Sequence, residues 1–144
     1  MALMSVRIDP SWRRIMSRNV RTFSGHVLTQ VEQVIIKTAE KIAGLAASLA
    51  PVDEGNLKNS IQIDYKNNGL TAEITVGAEY AIYVEYGTGI YAVDGNGRKT
   101  PWTYYSPKLG RYVRTQGAPA QPFFWPAVEE GGEYFEREMR RLRG

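Results

Sequence analysis

The chain has 144 residues, enough for one compact domain with a hydrophobic core that needs no covalent staples. It contains no cysteine, which excludes disulfides and thiolate metal sites and suits a reducing cytoplasm. No apolar run approaches the roughly 20 residues needed to cross a bilayer, and the arginine-containing first residues lack the apolar core of a secretory signal. We therefore expect a soluble protein that stays on the cytoplasmic side and contacts no membrane.

The net charge of +3 is too small to indicate nucleic-acid binding, but the charges are segregated along the chain. Residues 1–25 hold five arginines against one acid, and residues 26–97 hold four lysines against nine acids. Residues 98–114 hold five basic residues and no acid. One interpretation is an ordinary solvated surface. The other is that a basic segment of one copy meets the acidic middle of another copy.

An N-terminal basic arm or short helix is predicted over residues 1–25. Asp9 and Pro10 resemble a helix start, with Asp as the N-cap and Pro at the first helical position. Residues 11–18 are therefore expected to form a short basic helix within this arm.

The strongest periodic signal predicts one amphipathic helix from about residue 27 to residue 50. Its apolar stripe comprises Leu28, Val31, Ile35, Thr38, Ile42, Leu45 and Leu49. Charged residues occupy the opposite side, so one face must be buried. We expect this stripe to pack on the first predicted hairpin, and the alternative is a short coiled coil.

A structural cap is expected just after this helix. Pro51 stops the helix, because the residue before a proline is disfavoured in the helical region. Asp53 can then cap a single helical turn that begins at Gly55, by accepting backbone N–H bonds. Glu85 is the other acid that catalysis could use with Asp53, but it could also pair with a base or close a turn.

Two β-hairpins are predicted from alternating apolar and polar residues. Residues 61–66 and 71–76 flank a tight Asn-Asn-Gly turn, and residues 102–105 and 111–115 flank a turn that contains proline and glycine. Between the hairpins, residues 80–86 fit either a short helix or a strand, with a slight preference for the helix or an irregular turn. The segment 87–100 is rich in glycine and is expected to be a flexible loop.

Three prolines precede a last helix, which is predicted from about residue 127 to residue 141. The residues predicted for its apolar side are Val128, Tyr134 or Phe135, Met139 and Leu142. The predicted fold class is α+β: a long amphipathic helix and a C-terminal helix packed on a small antiparallel sheet of hairpins. We find no repeat and no boundary, so residues 1–144 are assigned to one domain.

No catalytic constellation can be identified. The single histidine, His26, has no partner in the sequence, and there is no phosphate loop, His-Glu metal motif or nucleophile elbow. We expect no enzyme activity, no catalytic residue, no cofactor and no metal.

Two segments are candidate interfaces. In and before the second hairpin, basic residues alternate with aromatic ones, which could bind phosphates and stack on bases or could pack on the domain or on a neighbour. Further along the chain, prolines restrict the backbone around three consecutive aromatic residues. These residues either fill the end of the core or anchor an interface. The candidate interface residues are Arg98, Lys99, Trp102, Tyr104, Arg111, Arg114, Phe123 and Trp125.

Three short segments carry a family resemblance. They are APVDEGNLKNSI (50–61), YAIYVEYGTG (80–89) and PAQPFFWPA (119–127). In this order and at these intervals they resemble the tail-completion, or head-to-tail joining, family of small neck proteins from long-tailed bacteriophages. Glu54 and Tyr86 depart mildly, because threonine and phenylalanine are frequent there in the family.

The resemblance covers about residues 27–142 and implies an α+β subunit that closes the head-proximal end of a phage tail. The partners that it implies are further copies in a suspected hexameric ring, a tail-tube protein and a head-side stopper or connector protein. Passive contact with DNA in the ring lumen is compatible with it. The implied location is the neck of the virion, and the host cytoplasm before assembly. The main alternative is a small nucleic-acid-binding module that uses the basic aromatic hairpin, residues 98–115.

Overall fold

The computed structural model describes residues 4–14, 25–51, 55–93, 95, 97–107 and 109–143. These residues form an α+β fold, as the sequence predicts. The helices are α1 (Gly25–Leu49), α2 (Gly55–Asn59), α3 (Ala81–Tyr86) and α4 (Phe124–Arg143). The strands are β1 (Met4–Ile8), β2 (Ile61–Lys66), β3 (Thr71–Val76), β4 (Trp102–Ser106) and β5 (Arg111–Thr115).

The chain divides into two compact units. The first comprises Met1–Ala78 and Phe123–Gly144, and the second comprises Glu79–Pro122. The assignment of residues 1–144 to one domain stays a prediction.

The first unit contains an antiparallel sheet in the order β1-β3-β2. Val6, Ile74 and Ile63 lie opposite one another across its three strands. Because side chains alternate along a strand, this register puts the apolar residues of all three strands on one face, toward α1. The first hairpin is therefore confirmed, and its return strand is the centre of the sheet.

The prediction of an arm or short helix at the N-terminus is wrong for the described residues 4–14. Residues 4–8 form the edge strand β1, and Trp12–Arg14 form one 3-10 turn in which Arg13 has a φ of 57°. The capping role of Asp9 is nevertheless real, because its Oδ1 accepts a hydrogen bond from the Ser11 N–H at 2.8 Å. The rest of the predicted helix, from residue 15 to residue 18, lies outside the described residues.

Helix α1 packs against both the sheet and α4. Its fully buried residues are Val31, Ile35, Thr38, Ala39, Ile42 and Ala46. The prediction for Leu49 is wrong, since its side chain is 48% exposed. The buried line runs from Ile42 to Ala46 and Ala50, so near the end of α1 small alanines face the core, whereas Leu45 is half-buried and Leu49 is exposed.

Helix α4 begins at Phe124, before Pro126, although the sequence prediction started it at residue 127. A proline fits in the first turn because the N–H groups there have no intrahelical partner. Of the two aromatic candidates for the apolar side, Phe135 is fully buried. A Cβ at Gly131 would overlap the side chain of Ile42, so this glycine allows α4 to approach α1 closely.

The 3-10 turn near the N-terminus is attached to α4 through two neighbouring side chains. The Trp12 and Phe135 rings are 5.1 Å apart between centroids. The Arg13 Nε donates to Glu136 Oε1 at 2.5 Å, and the Arg13 Nη2 lies 3.4 Å from Glu129 Oε1. This contact joins the beginning of the chain to its last helix within the first unit.

The second unit contains α3, a 3-10 turn at Gly89–Tyr91 and the hairpin β4–β5. The helical alternative for residues 80–86 is therefore correct, and so is the second hairpin. That hairpin forms a two-stranded sheet of its own.

Candidate interface on the second hairpin

The hairpin β4–β5 is held at its base by backbone hydrogen bonds. The Thr88 N–H donates to the Ala118 carbonyl at 2.9 Å, and the Ile90 N–H donates to the Gln116 carbonyl at 3.0 Å. The Thr88 hydroxyl also accepts the Ala118 N–H at 2.9 Å. These bonds fix the start of the glycine-rich segment 87–100, for which the sequence predicts a flexible loop.

Two glycines make this base possible. A Cβ at Gly117, whose φ is +125°, would overlap the Thr88 carbonyl oxygen, and a Cβ at Gly89 would overlap the Gln116 carbonyl oxygen. Only a residue without a side chain lets the two backbones approach this closely. The hairpin therefore projects from a defined base.

The register separates the hairpin side chains into two faces. Tyr105 lies opposite Tyr112, and Thr103 lies opposite Arg114. We call these four residues the tyrosine face. The other face, which we call the tryptophan face, carries Trp102, Tyr104, Ser106, Arg111, Val113 and Thr115.

The tyrosine face is open to solvent. Tyr105 is 52% exposed and Tyr112 is 70% exposed, and their rings meet edge to face at 5.3 Å between centroids. On the tryptophan face, Trp102 is half-buried and Ser106 is buried. The Arg98 guanidinium lies 5.7 Å from the centre of the Trp102 ring. The tyrosine face is thus the more accessible of the two.

The predicted basic residues around the hairpin are all accessible to solvent, although the Arg98 guanidinium also lies against the Trp102 ring. Arg98, Lys99, Arg111 and Arg114 are exposed, and within the described chain none of them forms an ion pair. The structure puts Arg114 on the tyrosine face and Arg111 on the tryptophan face. The candidate interface predicted from the sequence includes both arginines but not Tyr105 or Tyr112, although the alternation along each strand shows which side chains share a face.

The other candidate residues lie in different surroundings. Phe123 is fully buried, so in this conformation it is a core residue that a partner cannot reach. Trp125 is 39% exposed, and its ring packs on that of Phe124 at 4.9 Å. Gly55 is the first residue of α2. The predicted cap, Asp53, lies outside the described residues.

Carboxylates are exposed on α4. Glu130 and Glu133 are accessible and form no ion pair with any other described residue, whereas Glu129 lies near Arg13. The hydrogen bond from Arg13 lowers the pKa of Glu136, and the same bond raises the pKa of Arg13. Among the described residues, the first half of α4 therefore presents two carboxylates that have no ion-pair partner.

The described residues include no group of three or more His, Cys, Asp or Glu side chains that could hold a metal ion. Glu85 is buried in α3. In the part of the chain that the structure covers, no helix is both long and apolar enough to span a membrane.

A family model described as "Bacteriophage HK97-gp10, putative tail-component" matches residues 15–87, just over half of the chain. The protein belongs to this HK97-gp10-like family of bacteriophage tail components, in agreement with the resemblance seen in its sequence. No curated protein and no solved structure is significantly similar to it. The match extends from before α1 to the end of α3, so the hairpin β4–β5 and α4 lie beyond it.

Proposed function

We propose that the protein completes the head-proximal end of a phage tail and joins the tail to the head, as one subunit of a ring. Its role is structural: it binds other proteins and catalyses no reaction. Its partners are further copies of itself, the tail-tube protein and a head-side stopper or connector protein. It enters the virion from the host cytoplasm and occupies the neck.

The observation that carries this proposal is the exposed hairpin in a chain whose family is a tail component. An isolated two-stranded hairpin is only marginally stable in water, and tyrosine and arginine are enriched where proteins bind each other. This hairpin shows both residue types to solvent, on a base that two close backbone contacts fix. A surface of this kind fits a subunit that must dock with several neighbours.

Binding measurements with purified proteins test the proposal. We expect the protein to bind the tail-tube or stopper protein of the same particle with an affinity that changes little with salt. If the protein bound neither the tail-tube protein nor the stopper protein, the neck role would be contradicted.

The second candidate is a nucleic-acid-binding module, which the four exposed cations around a hairpin with exposed tyrosines favour. It predicts an affinity of the isolated subunit for duplex DNA that falls steeply between about 50 and 200 mM salt. The same series of salt concentrations, applied to DNA and to the two protein partners, therefore separates the candidates.

A further inference from the structure

The tyrosine face has the features of a protein-binding surface. Tyr105 and Tyr112 are already packed against each other, so part of the side-chain freedom that binding would remove is lost before a partner arrives. Arg114 stands on the same face, exposed and without an ion pair among the described residues. A partner for this face should therefore present an accessible carboxylate beside a surface that aromatic rings can cover.

The first half of α4 presents such carboxylates. Glu130 and Glu133 are exposed, three residues apart and on one side of the helix, and Glu129, one turn before Glu133, lies near Arg13. They lie in the second and third turns of α4, beyond the first turn in which the helix dipole stabilises acids. Like charges at this spacing repel each other, and a cation from outside would relieve that repulsion.

We propose that the tyrosine face of one copy docks on Glu130 and Glu133 of a second copy, with Arg114 as the cation that meets these two carboxylates. The two surfaces differ, so the contact is head-to-tail. Such contacts form a closed ring when the rotation that relates neighbouring subunits brings the last subunit back to the first. This inference rests on the proposed function, because it names the contact that joins neighbouring subunits.

A second copy fits this face better than a nucleic acid does. The tyrosine rings meet edge to face, so they form one packed surface in place of two separate platforms for stacked bases. The face carries one cation, whereas phosphate binding draws its affinity from several. Both surfaces belong to the same chain, so every subunit brings one basic surface and one acidic surface that can pair with its neighbours.

Paired charge reversals test the contact in the full chain. Arg114→Glu alone, and Glu130→Arg together with Glu133→Arg, should each raise the dissociation constant of self-association about tenfold or more in sedimentation velocity. An equimolar mixture of the two variants should restore association, because every hairpin then meets an α4 of opposite charge. The matched control is Lys37→Glu on α1, an exposed site where the same reversal should change nothing.

Circular dichroism of each variant keeps a folding defect apart from a binding defect. If the charge reversal disturbs the fold, Arg114→Gln replaces it, and this variant should raise the dissociation constant of self-association by a smaller factor. The contact would be overturned if the wild-type protein stayed monomeric throughout the concentration series, or if the variants associated normally. It would also be overturned if the mixture of folded variants failed to recover self-association. So would a loss of DNA affinity with self-association unchanged. None of these results bears on whether particles that lack the protein join their heads and tails.

Discussion

Arg13 and Glu136 form the best-defined ion pair in the described chain, and it ties the N-terminal turn to α4. The hydrogen bond that Glu136 accepts lowers its pKa below its ordinary value, which is about 4.3 in an unfolded chain. A carboxyl with a lowered pKa stabilises the fold fully above the unfolded value and loses that contribution as the pH falls through the folded value.

We therefore predict that the stability difference between wild type and Glu136→Gln shrinks as the pH falls from about 6 to about 3. Urea unfolding at a series of pH values measures it. An unchanged Glu136→Gln difference at all pH values would show that the pair contributes nothing.

Ile42 and Leu49 belong to one predicted stripe but have different surroundings. Ile42 is fully buried against Gly131, whereas Leu49 is about half exposed. Ile42→Ala should lower the free energy of unfolding by about 2–5 kcal/mol, as large-to-small changes in a core do. Leu49→Ala should cost well under half as much. Equal costs in chemical denaturation would contradict the packing described for α1.

At the scale of elements, the base of the second hairpin depends on glycine. Gly117→Ala should destabilise the second unit, because the new Cβ would meet the Thr88 carbonyl and the backbone φ is positive. Gly110→Ala is the matched control: its φ is +67°, but its surroundings are open, so only the backbone strain remains. Thermal unfolding should show the larger loss for Gly117→Ala. A smaller loss there than at Gly110 would contradict the close approach.

Elements with a strong local pattern could be predicted from the sequence. The long helix and both hairpins follow from periodicity and turn residues within one stretch of chain. Strand β1 could not be predicted in this way, because five residues give a weak alternation and their partner β3 is more than sixty residues further along. What makes residues 4–8 a strand is the unpaired edge of the first hairpin.

The candidate interface could likewise be predicted only as far as local sequence patterns allow. Alternation along the second hairpin separates Trp102 from Tyr105, and the register confirms that they face opposite ways. Burial depends on the rest of the fold, so the sequence did not indicate that Tyr105 and Tyr112 form the more exposed face. It also left open whether Phe123 belonged to the core or to an interface.

At the scale of the whole molecule, the family match and the exposed hairpin occupy different parts of the chain. The match covers residues 15–87, and the hairpin follows it in the second unit. The family identifies the protein as a tail component, while the features proposed to bind neighbours lie in the second hairpin and the last helix, outside the matched residues.

The central claim is that the protein joins tail to head, and electron microscopy of particles assembled without it tests this claim most directly. We expect separate tails beside heads that are filled with DNA, and we expect that supplying the protein in trans restores joined particles. Joined, complete particles in its absence would contradict the account.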